Sequence, residues 1–339
     1  MAAEASFVKL LLELLLEQPS RQAKFAELSN PPPDAAVKRC NGIRKLAAAP
    51  PRQAIHVEWH WPAHRVGIHC RGAYQYLHRL MPTTLEVLFA PAEFVLLHER
   101  DLRQTLCVVF DVLRATSTMV TALGNGAAAI VPVAEISEAL SIRKRQPEVL
   151  LAGERDGLRI EGHLTGGVGF DLGNSPREFT PDRVGGRTIV ITTTNGTRAL
   201  RACASAATVL LGSFLNLRAT AQFIEQQSPH HLLLVCSGTL DQAAYEDVLG
   251  AGALCELLWS KFGGGAVADS ACIARRIFLL DQNDLLAAVA QSRNGRRLMA
   301  HADLREDVPN CVRRDLFSLV AELGKDGGVR IQPQGRPSA

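Results

Sequence analysis

The side chains that could do chemistry in this chain gather at a few short turns. The run Val108-Val109-Phe110-Asp111-Val112-Leu113-Arg114-Ala115-Thr116-Ser117-Thr118 ends an apolar stretch in a carboxylate, then supplies an arginine and three hydroxyls. A carboxylate at the C-terminal end of a buried strand stands where α/β sheets place their ligands. Arginine offers a planar fork for phosphate or carboxylate. Thr116, Ser117 and Thr118 can cap a following helix and leave N–H groups facing an anion. Four further turns are of the same kind: Gly153-Glu154-Arg155-Asp156-Gly157, Gly169-Phe170-Asp171-Leu172-Gly173-Asn174-Ser175-Pro176, Thr192-Thr193-Thr194-Asn195-Gly196-Thr197-Arg198-Ala199, and Cys236-Ser237-Gly238 with Tyr245-Glu246-Asp247 after it.

Asp111, Glu154, Asp171, Glu246 and Asp247 are oxygen donors with few histidines beside them. Such a set suits a hard cation such as Mg²⁺, held by one or two carboxylates and water. The threonine-rich turn, with Thr194, Asn195, Gly196 and Thr197, resembles a cradle for an oxyanion. Together with Arg114 these groups point to phosphate-ester chemistry, in which a metal screens the phosphate and activates water. Plainer readings stand beside each. Asp, Asn, Ser and Thr at strand ends are ordinary caps and turn residues, and Glu246 and Asp247 also favour a helix N-terminus electrostatically. No P-loop lysine accompanies the threonine turn, so it is not read as a nucleotide site. Cys236 and Ser237 resemble a nucleophile position, but no histidine is placed in sequence as their base. His56, His60 and His64 have helical spacing, yet Pro62 interrupts it, which argues against a metal site there.

From residue 84 onward, strand, turn and helix alternate. Strands are expected at 85–89, 105–110, 128–133, 150–153, 188–192, 208–212 and 232–236, all apolar and rich in Val, Ile and Leu, as strands covered on both faces are. Helices are expected at 118–125, 136–145, 196–203, 216–226, 246–262 and 281–292. The alternation predicts an α/β fold, a three-layer α/β/α sandwich with a mostly parallel, Rossmann-like sheet. Residues 1–83 read as an atypical N-terminal extension, broken by Pro31-Pro32-Pro33, Pro50-Pro51 and Pro62, with one amphipathic helix expected in the first 17 residues. Met81 precedes the change in texture. One expectation is that Met81 is the biological start; the other is a loosely ordered extension. The folded domain is expected over 84–325, with 326–339 a frayed, flexible tail.

Of 339 residues, 47% are hydrophobic, enough for a substantial core. The net charge of +3 is uneven: residues 1–80 hold 11 basic and 6 acidic side chains, and the remainder is slightly acidic. The body of the chain therefore lacks the basic stripe of a nucleic-acid binder. The 8 cysteines show no CxxC pair and read as buried hydrophobes in a reducing compartment. The apolar run at 7–17 is too charged and too short for a membrane span and is a poor signal peptide. A cytoplasmic location is the expectation.

The motifs DVLRATST at 111–118, GE at 153–154, GFDLGNSP at 169–176, TTTNGTRA at 192–199, CSG at 236–238 and YEDVLGAGAL at 245–254 occur in the order found in the 2-phosphosulfolactate phosphatase (ComB) family, which the chain resembles from about residue 85 to about residue 323. The resemblance implies a Mg²⁺-dependent phosphatase that converts (R)-2-phospho-3-sulfolactate to 3-sulfolactate and phosphate, in the pathway to coenzyme M. On this reading Asp111, with Glu154, Asp171 or Asp247, holds the metal. Arg114, Thr116, Ser117, Asn174, Ser175, Thr194, Asn195, Gly196, Thr197 and Ser237 surround the phosphate. Arg155 and Arg198 are candidates for a second cation facing the other acid group. Metal-activated water is the expected nucleophile, with Asp111 as an alternative. A small phosphorylated acid is the expected partner, with homo-oligomerisation left open. The alternatives are a phosphatase for a different 2-phospho acid and, from another class, a non-catalytic module that binds an anionic metabolite; a pure anion receptor gains nothing from several acids unless a cation sits between them.

Overall fold

The computed structural model describes the backbone of residues 58–61 and 64–67 and the whole of residues 84–332. The expectations for the first-17 helix, the Met81 start and residues 333–339 lie outside the described residues. In chain order the strands are β1 (Glu58–Trp61), β2 (His64–Gly67), β3 (Thr84–Leu88), β4 (Thr105–Phe110), β5 (Ala129–Pro132), β6 (Leu150–Arg155), β7 (Leu158–Arg159), β8 (Thr188–Thr192), β9 (Thr208–Gly212), β10 (His231–Cys236), β11 (Ala266–Val267), β12 (Ala321–Leu323) and β13 (Val329–Ile331). The principal helices are α1 (Ala115–Gly124), α2 (Ile136–Arg145), α3 (Gly196–Ala202), α4 (Leu217–Gln227), α5 (Tyr245–Phe262), α6 (Asp269–Asp281), α7 (Leu285–Ala290), α8 (Arg293–Met299) and α9 (Asp307–Cys311).

β1 and β2 form an antiparallel pair, and the other strands make an 11-stranded sheet in the order β11-β3-β10-β4-β9-β12-β13-β5-β8-β6-β7. The architecture is mixed α/β. Two parallel blocks, β11-β3-β10-β4-β9 and β5-β8-β6, are joined by the antiparallel hairpin β12-β13. Most of the strand pairings are parallel, as expected from the sequence, and the antiparallel run β9-β12-β13-β5 sets the sheet apart from a Rossmann-like one. The expected flexible tail is corrected at its start: Val329 is fully buried and β13 lies inside the sheet, paired to β5. Strands of three residues are too short to display an alternating pattern, and the glycine-rich turn between them looked like fraying.

The apolar strands read correctly because both faces are covered. Along β4, Leu106, Val108 and Phe110 enter one cluster, with Leu249, Leu254 and Leu258 of α5 and Phe278 of α6. Cys107 and Val109 enter the other, with Met119, Val120 and Leu123 of α1 and Leu200 of α3. The alternation is the period of 2 of a strand, and each fully buried Leu or Phe contributes about 1.5–3 kcal/mol. α1 is rich in Thr and Ser, which are weak helix formers. It forms because nearly all of it is buried and because its hydroxyls turn inward: Ser117 Oγ donates to Val112 O and Thr121 Oγ1 to Ser117 O, both at 2.8 Å. The expected helix at 281–292 is broken at 282–284, since Asp284 accepts from Ala287 N at 3.1 Å and starts α7 afresh. Among the described residues no helix is long and apolar enough to cross a membrane.

Candidate functional site

β4 and β10 are neighbours in parallel register, so Asp111 and Ser237 leave the sheet side by side. Ser237 N donates to Phe110 O at 2.8 Å. Asp247, in the first turn of α5, ties the two turns together. Its Oδ1 accepts from Val112 N at 2.8 Å and its Oδ2 from Gly238 N at 3.1 Å. Glu246 lies beside it, 1% exposed; Oε1 accepts from Asn294 Nδ2 at 2.6 Å, while Oε2 has no partner. Ser237 Oγ and Asn174 Oδ1 are likewise buried without a partner. Buried polar atoms are nearly always paired, so the two orphans of the acidic cluster, on Glu246 and Ser237, mark a place built for something else to complete.

The acids feel one another. Burial, first, and then the charges of Glu154 and Glu246 push the Asp111 carboxyl up to about 7, against the opposing pull of the Ala115 N–H and Arg114. Burial, then Asp111 and Glu246, hold Asp247 well above the usual carboxylate range. Like charges in a low-dielectric site resist ionising together.

The threonine-rich turn meets this cluster. A Cβ on Gly196 would fall 2.8 Å from Asp111 Oδ2 and 2.6 Å from Ala115 Cβ, so only glycine fits there. Four strands separate β4 from β8 in the sheet; the turn and α3, which packs against β4, carry the threonines across. Glu154, at the end of β6, fastens the turn: Oε1 accepts from Thr194 N and Thr194 Oγ1, each at 2.9 Å, and Oε2 from Gly157 N at 2.7 Å. Asn195 is half-buried at the head of α3. Thr197 is buried and donates to Thr193 O at 2.9 Å.

Arg114 is buried rather than open to a ligand. Its Nη1 donates to Asp307 Oδ2 at 2.7 Å and its Nη2 to Gly157 O at 2.6 Å. Asp307, fully buried at the start of α9, also accepts from Ser175 Oγ at 2.6 Å. The hydroxyls of the first turn are also committed: Thr116 Oγ1 donates to Asp111 O at 2.9 Å and accepts from Asp111 N at 3.0 Å, and Ser117 Oγ contacts Ser213 Oγ at 2.9 Å. Thr118 donates to Asn174 O at 2.8 Å. These groups hold the turn in shape instead of facing an anion.

Asp171 is not brought to the cluster. Its Oδ2 accepts from Arg143 Nη2 at 2.6 Å and from Leu151 N at 2.7 Å, so it braces β6 from another side. Arg155 donates to Glu154 O at 2.7 Å and to Thr192 Oγ1 at 3.1 Å. Arg198 is half-exposed and pairs with Asp241 at 3.6 Å. Cys236 is fully buried, and burial, then Asp247, push its thiol well up, which leaves it a poor nucleophile. Sequence reasoning assigned no role to Asp307 or Asn294, which lie in short helices.

Among the described residues no group of three or more His, Cys, Asp or Glu is arranged to hold a metal ion. A Mg²⁺ ion asks less, since one or two carboxylates with water suffice. Glu246 Oε2 has no partner, and Asp111 Oδ2 accepts no hydrogen bond from the described residues while Oδ1 takes the Ala115 N–H at 3.0 Å. Asp111 Oδ2 and Glu246 Oε2 are oxygen donors of the kind a hard cation takes.

The profile of the 2-phosphosulpholactate phosphatase family matches residues 94–326. The chain is 40% identical over 238 residues to a protein of Caldanaerobacter subterraneus, covering 69% of this chain and 93% of that one. It is 37% identical to a protein of Caldicellulosiruptor saccharolyticus, covering 66% and 90%, and 41% identical to one of Thermotoga petrophila, covering 64% and 88%. All three bear the name "Probable 2-phosphosulfolactate phosphatase". With the profile spanning most of the chain and the site motifs inside the matched region, the chain belongs to the 2-phosphosulfolactate phosphatase (ComB) family.

Proposed function

We propose that this chain is a Mg²⁺-dependent phosphatase that hydrolyses the phosphomonoester of a small acidic metabolite, with (R)-2-phospho-3-sulfolactate as substrate and 3-sulfolactate and phosphate as products. The observation that carries the reading is the buried acidic cluster of Asp111, Glu246 and Asp247, with Glu246 Oε2 and Ser237 Oγ left unpartnered inside it. An anion receptor has no use for acids that repel its ligand, whereas a phosphatase uses them to hold a cation. The names carried by its relatives support the substrate class.

Asp111 and Glu246 would hold Mg²⁺, with Asp247 and Glu154 behind them; Asp171 is left out because Arg143 and Leu151 N occupy it. The ion, when bound, supplies charge for the phosphoryl oxygens and a more acidic water. Ser237, Asn174 and Asn195 offer polar side chains to the phosphate, where fixed donors favour the charge that develops in the transition state. Asp247 fixes the turns at Val112 and Gly238 so that Asp111 and Ser237 stay side by side. Thr194 is a brace for Glu154, and Arg114 with Ser175 is a brace for Asp307.

The test is phosphate release from a panel of 2-phospho acids and simple phosphate esters, with Mg²⁺ and with chelator. Metal-dependent release is the expected result. Binding of the phospho acids with no release under any metal condition would sink the catalytic reading in favour of a receptor.

A further inference from the structure

Beside the acidic cluster stands a cation with no acid of its own. Arg297, on α8, is exposed and makes no hydrogen bond or ion pair among the described residues. The helix that carries it is well anchored. Ser292 caps α8 by accepting from Gly295 N at 3.0 Å, and Asn294 donates to Glu246 Oε1 at 2.6 Å and to Thr239 Oγ1 at 2.8 Å. Positions 294 and 297 are three apart on a helix and share a face. The helix that braces Glu246 therefore presents Arg297 on the same side.

Gly157 marks where the guanidinium lies. A Cβ at position 157 would fall 2.7 Å from Arg297 Nη2, and the backbone there has a φ of +80, which favours glycine. The same Gly157 donates its N–H to Glu154 Oε2 and gives its carbonyl to Arg114 Nη2. Arg297 thus reaches the residue that joins Glu154 to Arg114, at the rim of the site. Arg114 is consumed by Asp307, and Arg155 by Glu154 O and Thr192. A substrate with an acid group besides its phosphate needs a cation for each, and the acids of the site repel whatever is left uncompensated.

We propose that Arg297 grips the substrate's second acid group, a carboxylate or sulfonate close to the phosphoryl oxygen. The proposal rests on the phosphatase reading above and makes Arg297 the residue that separates phospho acids from plain phosphate esters. A planar guanidinium with two parallel N–H bonds matches either acid group, and an exposed arginine is free to turn toward it.

The test compares wild type, Arg297→Ala and Arg297→Lys on 2-phospholactate, which carries a carboxylate beside the phosphate, and on ethyl phosphate, which does not. Arg297→Ala should raise KM for 2-phospholactate about 10- to 100-fold, the loss expected for one charged hydrogen-bonded pair. The change in kcat should be smaller, the loss on ethyl phosphate smaller still, and Lys should restore part of the KM. Equal losses on the two esters, or none on 2-phospholactate, overturn the assignment. Calorimetric binding of 3-sulfolactate gives a readout apart from turnover. Binding that weakens in Arg297→Ala supports the assignment, even if wild type releases no phosphate from either ester and the phosphatase reading fails. Equal affinity in both proteins, or none in either, overturns it.

Discussion

Gly196 and Asp111 are packed so closely that a single methyl group does not fit between them: a Cβ at position 196 would lie 2.8 Å from Asp111 Oδ2. The carboxylate that leaves β4 is therefore shaped by the backbone of a turn that follows β8. Gly196→Ala should push Asp111 and Ala115 aside and cost about 1–3 kcal/mol of stability, the usual penalty of overpacking. Turnover should fall far more than that loss explains, because Asp111 moves with respect to Glu246 and Asp247. The check is a urea melt beside phosphate release at a temperature where the variant is fully folded. Unchanged turnover there means Asp111 is not in the machinery.

Arg114 and Asp307 form a buried pair with side chains 3% and 0% exposed. Removing one partner strands the other charge in the interior. Arg114→Ala should therefore destabilise the domain by about 3–5 kcal/mol, and Asp307→Ala by a similar amount. Arg114→Ala with Asp307→Ala together should cost much less than the two single losses added. A double-mutant cycle by chemical denaturation measures the coupling. Additive losses would show that the pair carries little, and would reopen Arg114 as a ligand for phosphate.

Asp111 sets a pH dependence for the metal-free protein. Its folded-state carboxyl is raised from 3.8 to about 7, with burial the largest cause. Between those values the folded state binds more protons than the unfolded chain, so stability falls as pH rises through this window. At low pH both states are protonated and the penalty is absent; above about 7 it is complete. In chelator, wild type should lose melting temperature from pH 5 to pH 8, and Asp111→Asn should lose less. Added Mg²⁺ should raise the melting temperature of wild type more at pH 8 than at pH 5. No response to Mg²⁺ at pH 8 would argue against Asp111 as a metal-holding group.

The sequence shows the strand ends because buried strands read as unbroken apolar runs. β4, β8 and β9 match their expected limits at both ends, and the turns after β4, β6, β8 and β10 hold the acids and the threonine cradle. What it hides is partnership at a distance. Nothing near Arg114 reveals that its partner is Asp307, 193 residues away. The hydroxyls of Thr116 and Ser117 have the same identity whether they face an anion or their own backbone, and only the fold decides that they face the backbone. Asp171 sits in a motif with Asn174 and Ser175, yet it points to Arg143 because strand β6 lies between it and the cluster's other acids. Glu246 is next to Asp247 in sequence and so looked like a helix-terminus charge, while its unpartnered oxygen appears only in three dimensions.

The cysteines give a test of the nucleophile. Cys236 is fully buried with its thiol pushed well up, and burial holds Cys255 and Cys311 at about 12. A thiol that stays protonated and out of solvent neither attacks a phosphorus atom nor an alkylating reagent. Cys272 is the half-buried member of the described set. Brief treatment of native protein with iodoacetamide at pH 8, followed by peptide mass spectrometry, should label Cys272 ahead of Cys236, Cys255 and Cys311. Cys236→Ala should keep turnover, since its neighbour Ser237, not the thiol, carries the unpartnered atom of that turn. Rapid labelling of Cys236 that substrate blocks, together with loss of turnover in Cys236→Ala, would replace water by a thiolate as the attacking group.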